Sequence, residues 1–440
     1  MLITLAAPAF AETWYIENGD ITVKAGETGN DVTQNNVTTK NDTDTIITNQ
    51  KTDTASSNTV TIDAGSDKVE VTLKDVNIDT SSRNKAAVSV TGSGNTTIKL
   101  DGDNHLTGGN GIYSNSIGSL TISGGTVKAA GGDGSDGGSG ISSSSGVTVS
   151  DGTVTANGGN STGSYGSGGD GIRSDGGVTI SGGTVTAAGG DSKDGYGGDG
   201  IRSGGGVTIS GNTVNAAGGN GGNVGGYGIC SFDRVAISGG TVEAAGGSSG
   251  SSNGGSGIYS SVIDLSGSLE LTAKAGSPNG KALSQRGNEL DLNTIKDKLG
   301  PGAKVTTTDA DGKVIAQVPI PRPVEPEEPS SSSDGGSAAP SAPVSSLPGL
   351  TVTDKSGAVI SYTSTQSGNT LTVCVGRLTA SLHVSLAALR QLRAEGIETI
   401  AFQTILCSTT LSVDELLAMG GEDAEVVLTH RFTDSSLTVG

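Results

Sequence analysis

Two stretches of the chain, GIRSDGGVTISGGTVTAAGG at residues 171–190 and GIRSGGGVTISGNTVNAAGG at residues 200–219, have nearly the same sequence. The Gly-Ile pair that opens them occurs six times, at intervals of 29, 31, 29, 28 and 29 residues. A repeat of this length with strand-forming content is typical of a solenoid, in which each unit stacks on the next. The repeat therefore predicts a mainly β solenoid with about 29 residues per coil.

Each repeat contains three short segments in which apolar and polar residues alternate, and this pattern predicts three strands per coil. In one repeat the inward positions are expected to hold Ile172, Val178, Ile180, Val185 and Ala187. Parallel coils about 4.8 Å apart would place equivalent residues above one another. The interior should therefore consist of columns of isoleucine, valine and alanine.

The predicted architecture resembles a known family. Three strands and about 29 residues per coil resemble the right-handed parallel β-helix of the pectate-lyase-like superfamily. The unit VTISGGTVTAAGG at residues 178–190 is similar to repeats in secreted proteins of gut clostridia that are described as carbohydrate-binding. The resemblance covers about residues 60–275, and it implies a right-handed parallel β-helix and a carbohydrate-binding role outside the cell.

Composition divides the rest of the chain. Residues 319–349 hold eight of the eleven prolines, which predicts an extended linker. Strand-like and helix-like patterns follow, including a helix that should begin near Ser385. The predicted segments are a partial signal peptide at 1–11, divergent coils at 12–110, regular coils at 111–279, a cap of one helix and one hairpin at 280–318, the linker, and a small α/β domain at 350–440 that is expected to be truncated.

Charge and cysteine content limit the partners. The net charge is −19 and basic residues do not cluster, so nucleic acid and anionic membranes are not expected partners. No apolar run is long enough to span a membrane. Three cysteines make no disulfide framework, although Cys374 and Cys407 could pair. Residues 1–11 end in Ala-Phe-Ala, a cleavage pattern that predicts a secreted or cell-surface protein. The protein is expected to be a monomer.

Charged residues recur in two adjacent repeats. Stacking in register should bring Asp170 beside Asp199 and Arg173 beside Arg202. Paired carboxylates with arginines could serve a lyase or glycosidase, or they could contact a bound sugar. An exposed ladder of alternating charge is the simpler interpretation, and such a ladder contributes little stability.

The loops that close the coils carry two further candidates. Tyr165, Tyr196 and Tyr227 could stack on sugar rings, although they do not share one register. The same loops are rich in aspartate, and carboxylate oxygens are ligands for Ca²⁺. A calcium site is therefore a hypothesis, whereas Gly, Ser and Asp are also ordinary constituents of surface loops. The candidate metal ligands are Asp133, Asp136, Asp191 and Asp194.

Repetition without a concentrated polar cluster favours binding over catalysis. The sequence therefore predicts a non-catalytic extracellular protein that binds a polysaccharide or surface glycan, or acts as an adhesin, through the solenoid surface. No cofactor is expected apart from the Ca²⁺ hypothesis. Two alternatives stay open: a polysaccharide lyase or glycoside hydrolase, and a structural stalk that displays the C-terminal domain.

Overall fold

The computed structural model describes residues 11–319, 349–354, 359–360, 362–367, 369–375, 380–404, 408–419, 425–430 and 435–439. The chain divides into two compact units, Met1–Glu327 and Glu328–Gly440. Apart from Ala11, the predicted signal peptide lies outside the described residues. The predicted linker does so too, apart from its first and last residues, and so does Cys407.

The first unit is a β-solenoid of about 11 turns with a spacing of about 28 residues, which confirms the mainly β repeat architecture. Three columns of parallel strands form its faces. The first face follows the Gly-Ile pairs. It contains Ile21–Ala25, Val60–Asp63, Val88–Thr91, Ile112–Ser114, Ile141–Ser143, Ile172–Ser174, Ile201–Ser203, the N-terminal parts of Ile229–Ile237 and Ile258–Leu265, and Leu283–Gln285.

The other two faces complete each turn. The second face contains Thr13–Tyr15, Ile46–Thr48, Val69–Lys74, the N-terminal parts of Thr96–Gly108 and Leu120–Gly131, Val147–Val149, Val178–Ile180, Val207–Ile209, and the C-terminal parts of Ile229–Ile237 and Ile258–Leu265. The third face contains Asn77–Asp79, the C-terminal parts of Thr96–Gly108 and Leu120–Gly131, Thr153–Asn157, Thr184–Ala188, Asn212–Ala217, Gly240–Ala245, Leu269–Lys274 and Lys304–Thr308.

The interior has the predicted columns. Ile172, Val178, Ile180, Val185 and Ala187 are all buried, and each pairs with its own residue type in the next turn. Strands with inward residues of one size can stack at constant spacing, and the buried residues form one continuous core along the solenoid. Cooperative packing between neighbouring turns is the main source of stability in such a fold.

Antiparallel strands lie at both ends of the solenoid. At the N-terminal end, Asn30–Gln34 and Val37–Asp42 form a hairpin beside the first face. Asn288–Glu289 and Val314–Pro319 are added at the C-terminal end. Short 3₁₀ helices occur at Ile16–Asn18, Ser81–Arg83, Leu292–Thr294 and Lys296–Lys298.

The predicted helix of the C-terminal cap is corrected by the structure, while the predicted hairpin forms. The helical segment consists of two successive 3₁₀ turns, and Ile295 and Leu299 of this segment are buried. Local hydrogen bonds explain the difference. The Asp291 carboxylate accepts the Asn293 N–H at 3.0 Å, and the Thr294 hydroxyl donates to the Asp291 carbonyl at 2.7 Å. Such bonds compete with a regular α-helix.

The closing loops of the coils are ordered by backbone stacking. The Gly198 N–H donates to Gly190 O at 2.9 Å, and the Gly190 N–H donates to Gly169 O of the preceding turn at 2.8 Å. The series continues to Gly159 and Gly138. A Cβ at Gly190 would collide with the Gly159 carbonyl oxygen, so the close approach requires glycine. The outgoing and returning arms of the loops therefore form one continuous ladder.

The described residues of the second unit form two four-stranded sheets and two helices. One sheet contains Leu350–Thr353, Ala380–Ser385, Glu425–His430 and Ser435–Val439, and the other contains Thr363–Ser367, Thr370–Cys374, Thr399–Gln403 and Ser408–Ser412. The helices are Leu386–Ala394 and Val413–Met419. Ser385 caps the first helix, since its hydroxyl accepts the Ala388 N–H at 3.2 Å. No helix among the described residues is long and apolar enough to cross a membrane.

Candidate functional site

A groove of about 810 Å³ lies where the returning arms of the loops meet the first face. Six of the seven residues predicted to bind a ligand line it, and Tyr165 lies elsewhere. The stacking of turns explains this convergence, because residues at one repeat position form a row along the solenoid. The charged and aromatic side chains that line the groove are Asp170, Arg173, Tyr196, Asp199, Arg202, Tyr227, Tyr259 and Lys281.

At three of the six Gly-Ile pairs, the side chain of the residue just before the pair caps the next turn. The Asn110 side chain accepts the Ser139 N–H at 2.7 Å, and Asp170 accepts the Asp199 N–H at 2.7 Å. Asp199 in turn accepts the Tyr227 N–H at 2.7 Å. An oxygen acceptor at this position therefore joins one turn to the next, whether the residue is an amide or an acid. The two acids have a structural role in addition to their charge.

Burial changes the ionisation of this carboxylate pair, by which we mean Asp170 and Asp199. Their exposed fractions are 8% and 4%. Loss of hydration raises the pKa of Asp170. Loss of hydration and, next, the nearby Asp170 charge raise the pKa of Asp199 to about 7. The predicted juxtaposition is thus present, but the pair is buried at the base of the groove and is no exposed ladder.

The two arginines are in register but have different partners. Arg173 pairs with Arg202 between neighbouring strands of the first face. Arg202 Nη1 lies 3.1 Å from Asp199 Oδ2, and its guanidinium lies 5.1 Å from the centre of the Phe232 ring. Arg173 Nε instead lies 3.8 Å from Asp175 Oδ1. The contacts with Asp199 and Phe232 hold the Arg202 guanidinium in place, whereas the Arg173 side chain is half exposed to solvent.

An aromatic pair forms a second part of the groove. The rings of Tyr227 and Tyr259 stack with centroids 4.9 Å apart and planes 18° apart. Burial is the main cause that raises the pKa of Tyr227 to about 12, so its hydroxyl stays protonated and can donate a hydrogen bond. Tyr196 lines the same groove with half of its surface exposed. These rings offer an apolar surface bordered by hydrogen-bonding groups.

Tyr165 lies apart from the other predicted tyrosines. Its side chain is 80% exposed, and it lines a separate shallow depression with Lys193 and Asp194. The loop tyrosines therefore form no single platform, in agreement with their different positions in the repeat. The backbone of Tyr165 has a φ of +65°, which suits the tip of the longest loop.

Three residues that line or adjoin the groove are not in the predicted ligand set. Tyr259 occupies the repeat position of Arg173 and Arg202, so its place in the row was the available signal. Lys281 gave no periodic signal, because it lies in an irregular segment after the last repeat. Phe232 lies in a bulge of its strand, between Ser231 and Arg234. Cys230 is fully buried in the same row, and burial raises the pKa of its thiol, so the thiol is unreactive.

The candidate metal ligands do not converge. A second ladder runs along the loops, in which Asp133 accepts the Asn160 N–H at 2.6 Å and Asp191 accepts the Asn220 N–H at 2.6 Å. Asp136 accepts the N–H of Ser167 at 2.8 Å. In the part of the chain that the structure describes, no three His, Cys, Asp or Glu residues are grouped so that they could hold a metal ion. The calcium site stays a prediction.

Comparison with protein-family models, with curated proteins and with solved structures finds no match to this chain. The class of protein is therefore defined by the fold itself, which is that of a parallel β-solenoid protein.

Proposed function

We propose that the protein is a non-catalytic extracellular glycan-binding protein whose solenoid binds a saccharide chain in the groove. The observation that carries this proposal is the stacked Tyr227–Tyr259 pair beside arginine, lysine and carboxylate side chains in one cavity. Aromatic faces pack against the apolar faces of sugar rings, while charged and amide groups bind hydroxyls. Placement outside the cell rests on the cleavage pattern at Ala9-Phe10-Ala11.

The size of the groove fits a short segment of a linear glycan. Its lining extends from Asp170 to Lys281 and includes the intervening turns that hold Asp199, Tyr227 and Ser256. Four steps of about 4.8 Å give a length of roughly 19 Å along the solenoid. An adhesin role is compatible with this geometry, because a surface glycan presents similar linear segments.

Binding is favoured over catalysis by what the carboxylate pair already contacts. Each acid accepts a backbone N–H of the next turn, and each is less than a tenth exposed. One observation nevertheless supports a glycoside hydrolase as a second candidate. A carboxyl whose pKa is raised to about 7 beside another acid is the pattern of a general acid and its partner. Release of sugar products by the wild type, lost in D170N and D199N, would support that candidate.

The proposal is tested by retention of the full chain on a panel of soluble and insoluble polysaccharides. We expect retention on a defined subset. The Tyr227→Ala and Tyr259→Ala variants should bind the retained polymer about two- to tenfold more weakly, since a stacked aromatic contact contributes roughly 0.5–1.5 kcal/mol. Tyr165→Ala is the matched control, because this ring lies outside the groove.

The outcomes separate the alternatives. Retention that is unchanged in both groove variants would remove the tyrosines from the site. Retention on no polymer would contradict glycan binding and favour the stalk hypothesis. Circular dichroism of each variant checks that the solenoid is folded.

A further inference from the structure

The carboxylate pair lies among several charged and titratable groups. Asp199 Oδ2 contacts Arg202 Nη1 at 3.1 Å, and its Oδ1 accepts the Tyr227 N–H at 2.7 Å. Cys230 lies in the adjacent turn of the same face, and its thiol stays neutral. The groups that face the pair are Arg173, Arg202, Tyr227 and Cys230, while Tyr259 and Lys281 line the same groove farther along the solenoid.

The charges of the groove nearly cancel when both acids are ionised. The carboxylate pair then balances Arg173 and Arg202. Lys281 adds one positive charge and has no ion-pair partner among the described residues, while the exposed Asp175 beside Arg173 offsets it. Protonation of the pair would leave the groove with a net charge of +1. Uptake of one proton therefore makes the net charge of the groove positive in an otherwise acidic protein, which favours binding of an anion.

We propose that the carboxylate pair takes up one proton when the groove binds a negatively charged glycan. The inference rests on the proposed glycan binding and adds the charge class of the ligand and its regulation by pH. Two buried carboxylates one turn apart disfavour double ionisation, and a bound anion disfavours it further. Proton uptake relieves both repulsions.

Protonation would leave the shape of the groove unchanged. A neutral Asp199 keeps an oxygen that accepts the Tyr227 N–H, as the Asn110 amide oxygen does for Ser139 in the same row. Arg202 would lose its ionised partner and could pair with an anionic group of the glycan instead. Since burial and the Asp170 charge raise the pKa of Asp199 to about 7, the change falls between neutral and mildly acidic conditions.

The test uses dextran sulfate oligosaccharides, with unsulfated dextran of the same length as the neutral control. Sulfate esters stay ionised throughout the range, so only the protein titrates. Calorimetry of the full chain should show roughly tenfold tighter binding at about pH 6 than at about pH 8.5, from one added charge near the ligand. Titrations in buffers of different ionisation enthalpy should show proton uptake near pH 7. Any binding of unsulfated dextran should not depend on pH.

Two substitutions separate the pair from other acids. D199N carries the neutral form permanently, so dextran sulfate should bind it tightly at both pH values and without proton uptake. D191N is the matched control. Its row already contains Asn160 and Asn220 as caps, and its carboxylate is exposed and outside the groove. This variant should keep the pH dependence of the wild type.

Equal affinity of the wild type for dextran sulfate at both pH values would overturn the inference, and so would a pH dependence that D199N retains. Absence of binding to dextran sulfate at both pH values overturns it as well. Failure of the proposed function would be distinguishable, because it would appear as absence of retention on every polysaccharide in the panel.

Discussion

At the scale of single residues, the carboxylate pair shows how a repeat position can combine two roles. Any oxygen acceptor satisfies the backbone of the next turn, as Asn110 does, yet Asp170 and Asp199 add charge in a buried place. Burying a charge is costly unless it is paired, and Arg202 compensates this cost for Asp199. Arg202 offers one positive charge to two buried acids, so with both acids ionised the site is less stable than its amide equivalent would be.

The ionisation of Asp199 should make the stability of the protein depend on pH. The pKa of Asp199 is raised above its value in the unfolded chain, so the group favours folding below about pH 4, and this contribution is lost as the pH rises through about 7. Urea unfolding followed by circular dichroism should show it. Between about pH 5 and pH 8, the wild type should lose stability that D199N keeps. The difference between the free energies of unfolding of D199N and of the wild type should therefore increase by about 1 to 3 kcal/mol over this range.

The comparison of the two proteins isolates the carboxylate pair, because acids outside the pair titrate in both. A constant difference across this pH range would show that Asp199 ionises normally and would remove the electrostatic part of the account.

At the scale of elements, the glycine ladder of the closing loops is the feature that differs most from a sequence-based expectation. Glycine-rich loops suggest flexibility, but here the absence of side chains permits backbones to approach and hydrogen-bond between turns. Because the loops are ordered, their returning arms can form a fixed wall of the groove. Order in the loops is thus a condition for the site.

Gly190→Ala should destabilise the solenoid by about 1 to 3 kcal/mol, because its methyl group would collide with the Gly159 carbonyl oxygen and force the ladder apart. The measurement is urea unfolding of the full chain. Gly146→Ala is the matched control, since a methyl group there would meet its nearest atom, Gly177 O, at 3.6 Å. Equal stability of the two variants would mean that the ladder contributes little.

At the scale of the whole molecule, the repeat explains why much could be predicted. A fixed period places equivalent residues in rows, so the inward columns and the pairing of Arg173 with Arg202 followed directly from spacing. The groove was not predicted, because it depends on residues that differ from the repeat at shared positions. Phe232 occupies the position of Gly204 in the preceding turn. Lys281 continues the row of Asp199, Tyr227 and Ser256, but its segment lacks the Gly-Ile pair that marks this row in the sequence.

The raised pKa values of Asp170 and Asp199 could not be predicted from the sequence either. Asp170 and Asp199 look like an exposed ladder when only their spacing is known, and only the fold shows that loops cover them. The second unit illustrates the same limit. Its helix after Ser385 was predicted from the helix-like pattern of the segment, whereas no strand was predicted at Leu350–Thr353 or Ser408–Ser412, which are short.

The central claim is that a glycan binds in the groove of the first face. Its most direct test is hydrogen–deuterium exchange of the full chain with and without an oligosaccharide of the polymer that retains it. If the glycan binds in the groove, exchange should become slower in residues 196–203, 224–231 and 254–259, which line it. Exchange should not change around Tyr165 or in the strands of the third face. Slower exchange confined to Tyr165, to the third face or to the second unit would contradict the account.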